Sequence, residues 1–249
     1  MKIDILAGGS SGNAIAIKSG DAAILIDCGI AKTKIEKRLL EVGIKPNEIK
    51  AILITHAHSD HVKGLPIANK YKIPVFAAEN EWKSIKGVDE ELRWSFSSGN
   101  DFNVEDFFIE SFKTHHDAFD PVGYAITDYE SNEKVSICLD TGKVDEAMMK
   151  VMEHSTYYII ESNHEPNMVE VSDYPNSVKA RILSHIGHLS NEQTSKALSG
   201  LVDHHTKKIY LTHLSSKNNM PALAEMTVKR ELSKYGLICD LNYKLEVIS

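Results

Sequence analysis

The residues best suited to chemistry lie in one loop, where three histidines and one aspartate fall within six residues. It has the sequence THAHSDH over residues 55–61 and directly follows an apolar run. Imidazole and carboxylate groups this close together suit a borderline cation such as zinc. One tight turn can direct His56 and His58 to one ion, while Asp60 and His61 can serve a second. The segment therefore predicts a metal site rather than a polar surface loop.

The elements that must position this loop alternate between strand and helix. Apolar segments bounded by turn residues predict strands over 2–6, 14–18, 22–27, 51–54, 75–77, 107–112, 123–127, 135–139, 157–160, 209–212 and 244–248. Helices are predicted over 32–42, from a capping box at Ser190 to residue 202, and over 221–234.

Polar segments that carry His or Asp come directly after four of these strands. They follow Ile54, Leu139, Ile160 and Leu211. Ligands of α/β proteins bind at the carboxyl ends of the strands, so these segments predict a site at that edge.

Composition limits the class of protein. The chain has 249 residues, 42% of them hydrophobic, and a net charge of −7, which predicts one globular domain over residues 1–249 rather than a disordered or fibrous chain. It contains no apolar run long enough to span a membrane, and its start does not resemble a signal peptide. Three scattered cysteines fit a reducing compartment, so we expect a cytoplasmic protein without membrane contact.

The pattern H-x-H-x-D-H after a strand resembles the signature of the metallo-β-lactamase superfamily. Matching segments follow in the order that this family shows: THHD over 114–117, LDTG over 139–142 and THL over 212–214. The resemblance implies an α/β fold, the αβ/βα four-layer sandwich of two mixed β-sheets with helices on the outer faces.

The same resemblance implies a site with two divalent metal ions. The implied ligands are His56, His58 and His116 for one ion, Asp60, His61 and His213 for the other, and Asp140 as a bridge between them. His115 is the alternative to His116. Zinc is the expected metal, with manganese as an alternative. Two close cations can lower the pKa of a shared water and offset charge on phosphoryl oxygens, which suits phosphoester cleavage.

Further residues resemble the phosphodiesterase and nuclease branch related to RNase Z. His61 and Asp140 are present as in that branch, and the segment GHLS over 187–190 is similar to its helix-opening histidine segment. The resemblance implies that His188, paired with Glu161, contacts the scissile phosphate or protonates the leaving group, with Asp60 as a further catalytic residue.

Two other segments are candidates for contact with the substrate. The sequence GGSSGN over 8–13, which contains Ser11 and Asn13, could offer backbone N–H groups to a phosphate, although it also suits a plain β-turn. His164 lies near the expected rim of the site. His154, His204 and His205 lie in polar stretches and are expected to be exposed.

Two families of this branch fit the motifs equally well: the YycJ/WalJ-like DNA exonucleases and the anti-Pycsar phosphodiesterases. The latter cleave cyclic mononucleotides such as cCMP and cUMP, which would make the protein a counter-defence enzyme acting in a host cytoplasm. The net charge of −7 would repel long DNA, so a cyclic mononucleotide, with cAMP and cGMP as further candidates, is the preferred substrate. A non-catalytic metal-binding scaffold is the alternative outside enzymes. Related proteins imply a homodimer, the commonest assembly.

Overall fold

The computed structural model describes residues 1–9 and 11–248 and contains two mixed β-sheets. The first sheet has the strand order β1-β2-β3-β4-β5-β6. Its strands are β1 (Lys2–Gly9), β2 (Gly12–Ser19), β3 (Ala22–Ile26), β4 (Ile49–Leu53), β5 (Val75–Ala78) and β6 (Arg93–Phe96). Strands β1 to β3 pair antiparallel, whereas β3 to β6 pair parallel.

The second sheet has the order β13-β12-β11-β10-β9-β8-β7. Its strands are β7 (Asp101–Val104), β8 (Phe107–Lys113), β9 (Val122–Asp128), β10 (Lys134–Cys138), β11 (Tyr157–Glu161), β12 (Lys208–Thr212) and β13 (Lys244–Val247). Strands β10 to β13 run parallel, so their carboxyl ends meet at one edge.

Eight α-helices connect the strands of the described chain. They are α1 (Lys32–Glu41), α2 (Ser59–Val62), α3 (Pro66–Tyr71), α4 (Glu146–Met152), α5 (Pro166–Val171), α6 (Asn176–Ile182), α7 (Asn191–Leu201) and α8 (Pro221–Ser233). The predicted capping box is confirmed, because the Ser190 side chain accepts from the Gln193 N–H and the Gln193 side chain accepts from the Ser190 N–H. The long helices and all eleven predicted strands agree with the structure within a few residues at their ends.

Sequence reasoning missed β6 and β7 and the five shortest helices. Both strands lie at an edge of their sheet and together bury only one residue, Val104, so neither shows a continuous apolar run. They are held in part by aromatic contacts, since the Phe76 ring stacks on Trp94 and on Phe102 at centroid distances of 5.7 and 5.2 Å. Helices of four to seven residues are too short to show a helical period.

The chain forms two compact units. The first unit comprises Met1–Ser111, Ala118–Val122 and Thr127–Asn132, and the second comprises Phe112–Asp117, Gly123–Ile126 and the chain from Glu133 onward. Each has its own core: one surrounds β2 to β5 and α1, the other surrounds β10 to β12, α7 and α8. The single-domain assignment stays a prediction. Among the described residues, no helix combines the length and apolarity that crossing a bilayer requires.

Candidate metal centre

The histidine-rich loop of the first unit begins where β4 ends. Its apolar strand is buried, and the chain then turns through Thr55 into the four-residue helix α2. His58 immediately precedes α2 in an extended conformation, whereas His61 lies on the helix and is buried.

Three imidazole rings of this loop converge. The Nε2 atom of His56 lies 3.0 Å from the Nδ1 atom of His58, and the rings of His56 and His61 are 4.1 Å apart at their centroids. Asp60 is close as well, with its Oδ2 atom 3.6 Å from His61 Nε2. His56 and His61 are buried and His58 and Asp60 are half-buried, so these four predicted ligands form one group.

Asp27 orients this group, and sequence reasoning missed it. Its fully buried carboxylate accepts from the Thr55 N–H at 2.9 Å, from the Thr55 hydroxyl at 2.8 Å and from His61 Nδ1 at 2.7 Å. Because His61 uses Nδ1 for this bond, its Nε2 atom is the one directed toward Asp60. The sequence places Asp27 at the end of the predicted strand over 22–27, and in the structure β3 ends one residue earlier, so its position at a carboxyl end was a usable signal.

Glu81 holds the backbone of the loop. It is buried, and its two carboxylate oxygens accept from the Ala57 N–H at 2.7 Å and from the Asp120 N–H at 2.5 Å. Ala57 lies between His56 and His58, so this bond fixes the backbone between the two predicted ligands. The sequence contains no signal for this role.

Gly29 allows the segment that follows β3 to approach the same loop. A Cβ atom at this position would overlap the backbone of Asp60 and of Asn13. Only glycine permits this close approach between two main chains.

The polar residues of the second unit gather at the carboxyl ends of β10, β11 and β12. The Oδ1 atom of Asp140 lies 2.9 Å from His213 Nδ1 and 3.1 Å from His188 Nδ1. The Oε2 atom of Glu161 lies 3.1 Å from His188 Nδ1 and 3.3 Å from His213 Nδ1. Ligand atoms of all four side chains lie within 4.8 Å of one another.

Glu161 is the centre of this second group. Its Oε1 atom accepts from the Thr141 N–H at 2.6 Å and from the Leu189 N–H at 3.3 Å, which fixes the carboxylate next to Asp140 and His188. Burial opposes the charge on Glu161, but its contacts with His188 and His213 lower its pKa. Glu161 and His188, predicted from the sequence to lie side by side, are in contact in the structure. Their catalytic roles stay predictions.

The carboxylates of Glu161 and Asp140 also raise the pKa values of the two neighbouring histidines. Burial opposes protonation of His188, but Glu161 and Asp140 raise its pKa to about 10. For His213, burial again opposes protonation, and Asp140 and Glu161 raise the pKa to about 9.

His116, rather than His115, lies beside this group. The His116 ring is 5.2 Å from the His188 ring, and its Nδ1 donates to the Gly187 carbonyl at 3.1 Å, which leaves Nε2 as the potential ligand. Burial lowers the pKa of His116 and so favours the neutral form that binds metals. His115 instead contacts Asp145 through Nε2 at 2.6 Å.

The residues present fit divalent metal ions. Each unit offers imidazole nitrogens together with carboxylate oxygens, the ligand types that zinc and manganese take from proteins. The histidine Nδ1 atoms held by Asp27 and by the Gly187 carbonyl are the supporting contacts typical of metal-ligating imidazoles.

The three predicted substrate contacts differ in exposure. Ser11 is exposed, whereas Asn13 is buried with Nδ2 3.1 Å from His61 Nε2. His164 is also buried; burial lowers its pKa to about 4, and its Nδ1 makes no hydrogen bond within the described chain. Ser10, part of the same glycine- and serine-rich segment, lies outside the described residues.

Comparison with known proteins identifies the family. The model of the metallo-β-lactamase superfamily matches residues 7–144. The chain belongs to this superfamily. An exodeoxyribonuclease YycJ from Bacillus anthracis is 36% identical over 241 residues, covering 95% of this chain and 90% of that protein. An exodeoxyribonuclease WalJ from Streptococcus pneumoniae is 36% identical over 251 residues, covering 98% and 93%.

A solved structure of the superfamily agrees in fold. The metallo-β-lactamase fold protein YhfI from Bacillus subtilis superposes with a TM-score of 0.74 at 15% identity, covering 99% of this chain and 95% of that chain. The fold class predicted from the sequence, two mixed sheets with helices, is therefore confirmed. Within the superfamily, the chain is of the YycJ/WalJ type. It is therefore a metal-dependent hydrolase, of the class that includes nucleases and phosphodiesterases.

Proposed function

We propose that this hydrolase degrades DNA from its ends, as an exodeoxyribonuclease. The observation that carries the proposal is the 36% identity to YycJ and WalJ over nearly the full length of all three chains. The preference for a cyclic mononucleotide, drawn from the sequence, finds no support in these relatives, and DNA takes its place as the first candidate.

We further propose which residues hold the metals. His56, His58 and His116 bind one ion, Asp60, His61 and His213 bind the second, and Asp140 binds both, with zinc as the first candidate and manganese as the alternative. When bound, two such ions offset the charge on the phosphoryl oxygens and lower the pKa of a water at the site. The support from the structure is the donor set in each unit and the contacts that fix it, from Asp27 to His61 and from Gly187 to His116.

His188 and Glu161 supply the proton for the leaving oxygen in this proposal. His188 Nδ1 lies 3.1 Å from both Glu161 Oε2 and Asp140 Oδ1, so its Nε2 atom is the one that can reach a substrate. Glu161 orients the ring and stabilises its charged form. Such a general acid contributes roughly 10²–10⁴-fold to a rate.

Ser11, Asn13 and His164 remain proposed substrate contacts. Ser11 is the exposed member of the three and is the first to test, by the KM of Ser11→Ala. We also propose that the protein forms a homodimer and that it is located in the cytoplasm.

Cyclic mononucleotides are the second candidate substrate, and with them a role against cyclic-nucleotide immune signalling in a host cell. The observation in favour is the net charge of −7. Long DNA is bound mainly by neutralising its phosphates, and an acidic protein needs a locally basic face to do so. A small nucleotide needs only the metals and a few contacts.

One digest separates these candidates. The metal-loaded protein is incubated with linear duplex DNA, linear single-stranded DNA, closed circular DNA and cyclic mononucleotides, and the products are resolved by chromatography. An exodeoxyribonuclease releases small products from linear DNA and leaves closed circles intact. Hydrolysis of cyclic nucleotides without any action on DNA would replace the first proposal by the second.

Two controls complete the digest. Asp140→Ala and a chelated sample should both be inactive if Asp140 and the metals are needed. A protein that binds metal but hydrolyses none of these substrates would instead be the non-catalytic scaffold considered from the sequence.

A further inference from the structure

A second group of metal-ligating side chains lies in the second unit, away from the candidate catalytic residues. His154 follows α4 and precedes β11, while Asp203 and His205 lie in the turn between α7 and β12. These three residues are at the amino ends of the parallel strands, whereas Asp140, Glu161 and His213 are at or beyond the carboxyl ends. A five-residue strand is about 15 Å long, so the two groups lie at opposite edges of the sheet.

The geometry of this group is built around one carboxylate oxygen. Asp203 Oδ2 lies 2.7 Å from His154 Nδ1 and 3.4 Å from His205 Nδ1. The three ligand atoms lie within 4.8 Å of one another, and the two imidazole rings are 5.8 Å apart at a steep angle of 73°.

The surrounding turn fixes the orientation of Asp203. Its second oxygen, Oδ1, accepts from the His205 N–H at 2.8 Å, and its own N–H donates to Thr206 Oγ1 at 3.2 Å. The Thr206 hydroxyl also donates to the Ser155 carbonyl at 3.3 Å, next to His154 in the chain. The two loops that carry the three side chains are therefore already joined by the backbone and by Thr206.

We propose that His154, Asp203 and His205 bind one divalent transition-metal ion, with zinc as the best match, separate from the catalytic metals. Two imidazole nitrogens and one carboxylate oxygen are three zinc ligands, and water can take the fourth position. With bonds of about 2.1 Å, tetrahedral ligands lie about 3.4 Å apart. The observed distances of 2.7 and 3.4 Å need only a small widening between His154 and Asp203.

Exposure and ligand type both favour this metal. The side chains of His154 and His205 are 68% and 53% exposed, so an ion can enter from solution without unfolding. Two imidazoles disfavour magnesium and calcium, which take oxygen ligands. The ion would tie the loop after α4 to the loop after α7, and because it binds only the folded chain it would stabilise that chain.

The first test counts zinc. The protein, with its catalytic metals loaded, is dialysed against zinc at equilibrium, and bound zinc is measured by atomic emission. The variant His154→Ala/His205→Ala should bind one zinc ion fewer per chain than the parent protein. The matched control His185→Ala removes an exposed histidine outside the group and should bind as much as the parent.

The second test uses stability and does not depend on the catalytic site. Added to protein whose catalytic metals are already loaded, further zinc should raise the thermal unfolding temperature of the parent and of His185→Ala, and not that of His154→Ala/His205→Ala. Far-UV circular dichroism checks that each variant folds. Equal zinc content and equal thermal response in all three proteins would overturn the proposal. Nuclease activity should be the same in all three, so failure here leaves the proposed function unaffected.

Discussion

Several polar residues of the candidate centre have a backbone conformation that side chains normally avoid. Asp27, Asp140 and His213 have φ values of 59°, 48° and 56°, and each lies one or two positions beyond a strand end. Such left-handed residues cost on the order of 1–3 kcal/mol unless their surroundings hold them. Their hydrogen bonds and ion contacts at the carboxyl edge are what holds them.

At the residue scale, the variant His188→Ala tests whether His188 donates a proton or binds a metal ion. The variant should keep its metal content and lose roughly 10²-fold or more in turnover on a phosphodiester with a poor leaving group. The loss should be much smaller on bis-p-nitrophenyl phosphate, whose leaving group needs no proton. The two losses are compared by measuring turnover on both substrates, and metal analysis checks that the metal content is unchanged.

His213→Ala is the matched comparison for that experiment. A metal ligand serves both substrates, so its loss should reduce metal content and both turnovers together. If His188→Ala lowers both turnovers equally and keeps its metal, His188 binds the phosphate instead of donating a proton. If neither turnover changes, His188 has only a structural role.

At the scale of elements, parallel pairing brings the second group of residues together. Cys138 pairs with Ile160 and Ile160 pairs with Leu211, so β10, β11 and β12 end side by side. Asp140, Glu161 and His213 are far apart in the chain but meet because each lies at one of these ends. In the first unit the histidine-rich loop is local in sequence, and its shape depends on Glu81.

Glu81→Ala should therefore destabilise the loop and the first unit. It leaves two partly buried N–H groups, of Ala57 and Asp120, without their carboxylate, and the free energy of unfolding should fall by about 2 kcal/mol. Glu81→Gln keeps one acceptor and should cost less. Urea unfolding measures both.

Glu79→Ala is the control, because Glu79 is exposed two positions away. It should change the free energy of unfolding by no more than about 0.5 kcal/mol. Equal stability of Glu81→Ala and Glu79→Ala would show that the carboxylate does not hold the loop.

At the scale of the whole molecule, we predict a homodimer. Two-fold dimers are the commonest assembly of folded chains. Light scattering at micromolar concentration should give about twice the chain mass of 27.7 kDa. A mass near that of one chain would contradict the prediction.

The sequence by itself determined the family, the fold class and the residue types of the candidate site. Its THAHSDH loop is local, so spacing alone revealed the cluster, and apolar runs placed the strands whose ends carry Asp140, Glu161 and His213. The ends of these strands can be predicted because a strand buried on both faces appears in the sequence as a continuous apolar run.

Only the tertiary structure showed the residues that orient this chemistry. Asp27 reaches His61 across 34 positions, and Glu81 reaches Ala57 across 24, contacts that no local pattern encodes. His154 and Asp203 are 49 positions apart and meet only because β11 and β12 run side by side. Side-chain partners at such separations are set by strand pairing and loop packing, which depend on the whole chain rather than on any one segment.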